Sequence, residues 1–235
     1  MRLPSVVVVV TALLAGVQSA SAQFAGWNVT GTVSGVFGKL TQETAFVPPP
    51  PPSPCNNCEG DGSASLRGLM GGLGLGYNWQ AGSWVYGLAT DFSLGNADGS
   101  TNDCGTPAHE CGGALRSLGT VRGLVGWSMG TWMPYATGGY AYGDVRAYDA
   151  FFGGSGSKYR GGWTVGGGIE MILSGAWSAK LDYLYVDLGK DHLYDLLPGV
   201  PEYVQTTANV VRFGLTYRFV DNQPSAPMVT KAYRK

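Results

Sequence analysis

The sequence has few charged residues and no strong charge of either sign. Aspartate, glutamate, lysine and arginine make up 13% of the 235 residues, and the formal net charge at pH 7 is −1. Such a chain gives no reason to expect a nucleic-acid partner, which a basic surface would attract. A Gly-X-Y period is also missing despite the 38 glycines, which excludes collagen, and the aromatic content argues against intrinsic disorder.

Long apolar runs are missing after the N-terminus. The run Val6–Ala15 is too short for a membrane-spanning helix, which needs about 20 apolar residues. It follows an arginine and precedes the small-residue sequence ASA at 20–22, which predicts a signal peptide over residues 1–22 and a mature chain that begins at Gln23. Because no later segment can span as a helix, membrane residence would require a closed β-barrel, which pairs all its backbone groups internally.

Alternation of apolar and polar residues predicts eight β-strands. In the segment 163–173, Trp163 and Ile169 fall on one face and Glu170 on the other. Successive side chains of a strand point to opposite faces, so such a segment has an apolar side and a polar side. The predicted strands are 27–37, 69–79, 84–94, 117–127, 132–142, 163–173, 177–188 and 209–219. In 132–142 aromatic residues occupy both faces, so its sides stay unassigned.

The predicted connections alternate between long and short. The long ones, interpreted as irregular loops, are residues 38–68, 95–116, 143–162 and 189–208. Outer-membrane barrels have long external loops and short periplasmic turns. The predicted fold is therefore all-β: an eight-stranded antiparallel up-and-down transmembrane barrel over residues 23–219. Tryptophans near the short turns predict an aromatic ring at the periplasmic interface: Trp27, Trp79, Trp84, Trp127, Trp132 and Trp177.

Charged residues fall on the polar, inward side of the predicted strands. Those in strand interiors are Asp91, Arg122, Glu170, Lys180, Asp182 and Arg212. An eight-stranded barrel has room for side chains and no open pore, and buried charges require partners. The pattern predicts an ion-pair network in place of an apolar core, although Asp182 and Arg212 could instead lie near strand ends in solvent. Arg218 also faces inward, at the end of the last strand.

The four cysteines fall in two predicted external loops: Cys55, Cys58, Cys104 and Cys111. In an exported chain this predicts two disulfides; three connectivities are possible, and local pairing is preferred. A zinc site would need ligands from both pairs. His109 and His192 also lie in predicted loops, and one catalytic hypothesis makes His192 a loop-borne base that acts on lipid. Asp91 with Glu170 could form an acid/base pair, but nothing in the sequence places them together or indicates a nucleophile. The sequence otherwise predicts no enzyme, cofactor or metal, and a flexible periplasmic tail at 220–235.

Several segments carry a family resemblance: GWTVGGGIEMILSGAWSAKLDYLYVDLG, LGYNWQAGSWVYGLATDF, GTVRGLVGW and NVVRFGLTYRF. Together they resemble the RopB-type outer-membrane proteins of alphaproteobacteria, in the OmpA-like β-barrel superfamily. The resemblance implies outer-membrane lipids and lipopolysaccharide as surroundings, and no enzymatic role. It also implies recognition by the barrel-assembly machinery through Arg212, Gly214, Tyr217 and Phe219, although the family ends at that phenylalanine and this chain continues. The proline-rich and cysteine-bearing loops are not typical of the family.

The main functional hypothesis is a structural barrel that supports the envelope and displays surface loops. A narrow passive channel of porin type is one alternative. A soluble lipocalin-like carrier is another, but that fold would turn the apolar face inward. The lipid-modifying enzyme is the third. The surface ligand stays unknown.

Overall fold

The computed structural model describes residues 23–44, 62–104, 109–151, 153–197 and 200–219. In these ranges eight antiparallel strands follow one another around the sheet, and the last pairs with the first, so the barrel is closed. The strands are β1 (Gly26–Thr44), β2 (Gly62–Ala81), β3 (Trp84–Cys104), β4 (His109–Trp127), β5 (Trp132–Asp149), β6 (Ser155–Ser174), β7 (Trp177–Leu197) and β8 (Val200–Arg218). The predicted fold class is confirmed.

The described ranges contain no helix with the length and apolar character to cross a membrane. The predicted signal peptide at 1–22, the tail at 220–235 and the pair Cys55 and Cys58 lie outside the described residues.

The strands are much longer than predicted. They contain 18 to 21 residues, against the 11 or 12 of the sequence-based segments, so the predicted loop bounds are wrong. β3, for example, continues to Cys104 and β4 already begins at His109, inside the loop predicted at 95–116. At about 3.3 Å per residue and a tilt of about 40°, 20 residues rise roughly 50 Å, whereas a bilayer core is about 30 Å thick. The barrel wall therefore continues well beyond the hydrocarbon, at the end away from the short turns, here called the external end.

The outer surface carries an apolar band. Along each strand the outward side chains are predominantly apolar over the predicted segments; Val33, Leu73 and Leu181 are 61%, 70% and 52% exposed. At the short-turn end the predicted aromatic ring is present, with Trp84 and Trp127 in edge-to-face contact at 4.8 Å between ring centroids. The remaining members are also exposed apart from the half-buried Trp79. The apolar side faces outward, as predicted.

β5 shows why its sequence pattern was ambiguous. Trp132 and Tyr140 point outward and are exposed, while Met133 and Tyr135 are buried in the lumen. Tyr135 is an inward aromatic residue, which the outward-apolar rule does not anticipate. Its hydroxyl donates a hydrogen bond to Asp182, so this inward aromatic residue takes part in the polar interactions of the lumen.

The external half of the lumen contains a large cluster of buried apolar side chains, with buried polar side chains such as Gln42, Glu202 and Thr206 beside it. This apolar plug is a single cluster of buried residues: Val36, Leu40, Leu66, Met70, Ala97, Leu115, Leu118, Ala141, Val145, Ala147, Leu184, Val186, Leu188, Val204, Ala208 and Val210. The prediction of a charged network in place of an apolar core is therefore wrong for this half. Most of these residues lie in the segments interpreted as loops or at their edges, so their inward direction was not recognised.

The short-turn end of the lumen is closed by a smaller apolar cluster. Phe24, just before β1, is fully buried against Val85, Met133 and Tyr135. Its backbone amide donates to Gln80 Oε1 at 3.0 Å, and the Arg218 guanidinium lies 5.3 Å from the centre of its ring. The N-terminal segment thus fills this mouth of the barrel.

Candidate functional site: the charged layer of the lumen

Asp91 is the centre of the first ion-pair cluster. Arg122 Nη2 donates to its Oδ2 at 2.8 Å, and Arg212 Nη1 donates to its Oδ1 at 2.7 Å. The Thr120 hydroxyl adds a third hydrogen bond at 2.6 Å. Asp91 and Thr120 are direct cross-strand partners on β3 and β4, whereas Arg212 reaches across the lumen from β8. Gly74 faces Asp91 from β2, and a Cβ at this position would lie 3.2 Å from the Asp91 Cβ, closer than an ordinary contact.

Asp182 extends this cluster. It is the cross-strand partner of Arg212, whose Nη2 lies 3.4 Å from Asp182 Oδ2, and it also accepts the hydrogen bond from Tyr135. Asp182 and Arg212 are 8% and 3% exposed, so the alternative that they lie in solvent at strand ends is wrong. Both belong to the buried network because the strands continue far beyond them.

Glu170 is the centre of a second cluster, nearer the short turns. It is fully buried, accepts a hydrogen bond from Ser178 at 2.6 Å and lies 3.3 Å from Lys180 Nζ. Arg218 also pairs with Glu170, and its other terminal nitrogen donates to the Gln23 carbonyl oxygen at 3.0 Å. Sequence analysis placed Arg218 inward but omitted it from the network because it ends the last strand.

The two clusters place three carboxylates against four cations in the lumen. Among the described residues, Glu170 Oε2, Arg212 Nε and Arg218 Nε have no hydrogen-bond partner, although Glu170 Oε2 lies 3.3 Å from Lys180 Nζ. Removing one partner from such a buried cluster leaves an uncompensated charge, so its members depend on one another. Asp91 and Glu170 lie in different clusters, so they do not form a paired acid and base. A cavity of about 40 Å³ remains beside the first cluster, lined in part by Thr30, Thr90 and Thr137.

Arg160 is a buried cation that sequence analysis missed. It is 4% exposed and pairs with Gly143 on β5, at the level of the apolar plug. In the described part of the chain its three side-chain nitrogens have no hydrogen-bond partner. Asp191, nearby on β7, is instead paired with Lys158 at 2.6 Å, and this hydrogen bond and charge hold the pKa of Asp191 below its usual range. Alternation continued into the predicted loop at 143–162 would have placed Arg160 inward.

The histidines and cysteines lie towards the external end. His109 Nε2 lies 2.7 Å from Asp149 Oδ2, and His192 is exposed, with its ring 6.0 Å from that of Tyr203. Cys104 and Cys111 form a disulfide between β3 and β4, with their Cα atoms 6.0 Å apart. This local pairing is one of the predicted connectivities, and it removes both thiols from the alternative zinc site.

Known proteins share this architecture. The family model described as "Outer membrane protein beta-barrel domain" matches residues 6–219. The chain belongs to this outer-membrane β-barrel family. Because this is an outer-membrane barrel, the exposed apolar band described above is the surface that contacts the membrane.

Relatives agree with this membership, and a solved structure shares the fold. A 31 kDa outer-membrane immunogenic protein of Brucella melitensis is 36% identical over 164 residues, 65% of this chain and 67% of that protein. A 22 kDa outer membrane protein of Rhizobium leguminosarum is 37% identical over 136 residues, 56% of this chain and 58% of that protein. The structure of OprG from Pseudomonas aeruginosa superimposes with a TM-score of 0.50 at 14% identity, covering 83% of this chain and 97% of OprG. The predicted resemblance and outer-membrane location are confirmed.

The predicted assembly signal lies on β8 and at Phe219 directly after it, beside β1 where the barrel closes. Arg212 and Gly214 face the lumen, whereas Tyr217 and Phe219 face outward and are exposed. The Phe219 amide donates to the Trp27 carbonyl oxygen at 2.8 Å, so hydrogen bonding across this seam continues to the last described residue. Recognition of these residues by the assembly machinery stays a prediction.

Proposed function

We propose that this outer-membrane barrel is a structural envelope protein with a closed lumen. One observation carries the proposal: the apolar plug crosses the external half of the interior with side chains from seven of the eight strands. Water and ions cross a lumen only along a hydrated path, and close-packed aliphatic side chains exclude water. Beneath the plug, the charged groups bind one another, and Phe24 covers the opposite mouth.

The narrow channel is the alternative function, and conductance distinguishes the two. In planar bilayers the purified, folded protein is expected to show no discrete openings, because the plug and the Phe24 cluster both interrupt the path. An unrelated open porin in the same bilayers controls for sensitivity. Reproducible openings that require the folded protein would favour the channel over the closed barrel.

The structural role itself predicts a defect of the envelope. A deletion strain is expected to become more sensitive to detergents and to bulky antibiotics, while its lipid A stays chemically unchanged. Expression of the wild-type chain restores resistance, and a variant that cannot insert does not. Wild-type sensitivity to detergents and antibiotics in the deletion strain would contradict a structural role in the envelope. Chemically altered lipid A would support the enzymatic alternative.

A further inference from the structure

A concave surface lies on the outside of the barrel wall where β3, β4, β5 and β6 continue past the apolar band. It encloses about 740 Å³. Its chemistry is polar and partly basic: its lining includes Asn96, Asp98, Ser100, Arg116, Arg146 and Tyr148. Neither the sequence patterns nor the family description accounts for this surface.

The height of the surface matches the polar edge of a membrane. On β3 the last outward apolar residue is Leu94, which is exposed, and Asn96 is the next outward position. On β5 the outward side chain of Tyr142 is followed by Asp144 and Arg146. Two strand residues rise roughly 5 Å along a tilted barrel, and the headgroup region of each leaflet is roughly 5–8 Å deep. The concave surface therefore begins at headgroup level and is continuous with the lipid-facing band.

Arg116 is directed onto this surface by a β-bulge. The pairing register of β4 shifts at this position against both neighbours, between Leu94 and Ala97 on the β3 side and between Leu115 and Ser117 on the β5 side. A bulge re-aims a side chain, and here it leaves Leu115 in the plug while Arg116 is exposed outside. In the described part of the chain Arg116 has no ion-pair partner.

Arg146 lies on the neighbouring strand and lines the same surface. Its side chain is 54% exposed, and its one ion pair among the described residues uses Nε, 3.3 Å from Asp144 Oδ2. Its two terminal nitrogens stay available as donors. Planar guanidinium groups bind phosphate oxygens with two parallel hydrogen bonds, which makes a pair of exposed arginines well suited to a phosphorylated group.

We propose that this surface binds the phosphorylated sugar headgroup of an outer-leaflet glycolipid whose acyl chains lie against the apolar band. Arg116 and Arg146 bind phosphate, while Asp98, Asn96 and Ser100 hydrogen-bond the sugar hydroxyls. Continuity with the band selects a lipid over a soluble anion, because only a lipid occupies both surfaces at once. The proposal depends on the outer-membrane location and is independent of whether the lumen conducts.

The test compares glycolipid retention by two double variants of the folded full-length barrel in detergent. We expect Arg116→Gln/Arg146→Gln to retain roughly tenfold less bis-phosphorylated lipid A than wild type, measured with radiolabelled lipid, because two charge-assisted contacts are lost. The control, Lys39→Gln/Lys190→Gln, removes the same charge from exposed outward positions on β1 and β7, outside the concave surface. It is expected to retain lipid like wild type.

Two further arms identify the ligand chemistry. Dephosphorylated lipid A is expected to bind wild type as weakly as phosphorylated lipid binds the arginine variant, and inorganic phosphate is expected to compete poorly. Heat-modifiability on a gel verifies that each variant is folded. Equal retention by wild type and the arginine variant, equal losses in the arginine and lysine variants, or competition by inorganic phosphate as effective as by lipid would each overturn the proposal.

Discussion

Replacing Asp91 by alanine is expected to lower the free energy of unfolding by about 3–5 kcal/mol. The carboxylate is bound by Arg122 and Arg212, and its removal leaves both guanidinium groups buried without that partner. The cost of an unpaired buried charge exceeds the value of the ion pair itself, because neither arginine can regain its hydration inside the barrel. Arg212 would retain Asp182, whereas Arg122 would lose its ion pair among the described residues.

The measurement is urea unfolding of the barrel in lipid vesicles, followed by tryptophan fluorescence. Asp103→Ala serves as the matched control, since Asp103 is an exposed carboxylate on the external part of the same strand. It is expected to change stability by no more than about 0.5 kcal/mol. In the double variant Asp91→Ala/Arg212→Ala the loss should be less than the sum of the single losses, because one unpaired charge is removed with its partner. Equal effects of Asp91→Ala and Asp103→Ala would contradict the network.

Arginine in place of Leu181 is expected to destabilise the inserted barrel by about 2–4 kcal/mol. Leu181 points outward from the middle of the apolar band on β7 and is 52% exposed. A guanidinium at this depth loses its hydration in hydrocarbon, and its side chain extends only part of the way to the headgroups. The fraction of protein that becomes heat-modifiable after mixing with vesicles should fall accordingly.

The control is Gln205→Arg, which adds the same side chain to an outward position on β8 beyond the apolar band. Its insertion should stay close to that of wild type, since the new charge lies in the headgroup region or in water. If both variants insert equally well, the band is not the surface that contacts hydrocarbon, and the lipid-facing assignment is wrong.

The side of each strand that faces lipid could be predicted because it is encoded locally. A period of two residues assigns Val33 and Leu73 outward without any knowledge of their neighbours. The same alternation placed Asp91, Arg122 and Glu170 inward, where the structure has them. Each of these inward or outward assignments depends on the alternation within one strand, and that alternation can be read directly from the sequence.

Strand length and ion-pair partners could not be predicted, since both depend on the closed barrel. Glycine, serine and aspartate in 143–162 resemble a loop, but residues 143–149 pair with β4 and residues 155–162 of β6 pair with residues 141–148 of β5, which makes most of this segment β-structure. Asp91 and Arg212 are 121 residues apart in the chain and meet across the lumen. Their contact depends on the stagger between the strands of the closed barrel, which cannot be read from the sequence. The bulge at Arg116 also changes which residues face inward, so that Leu115 and Leu118, three apart, both enter the plug.

The continuation of the wall beyond the bilayer affects what can attack the exposed part of the protein. A protease binds an extended backbone whose amide groups are free of other hydrogen bonds. Arg67 and Arg146 do not meet this requirement, because their strands are paired with a neighbouring strand on both sides. Trypsin added to intact cells therefore meets arginines whose backbone must first leave the sheet, a local opening that costs more free energy than loop motion. For the same reason, antibodies raised against short unfolded peptides from this region would meet a differently shaped backbone on the cell, and conformational epitopes would dominate recognition.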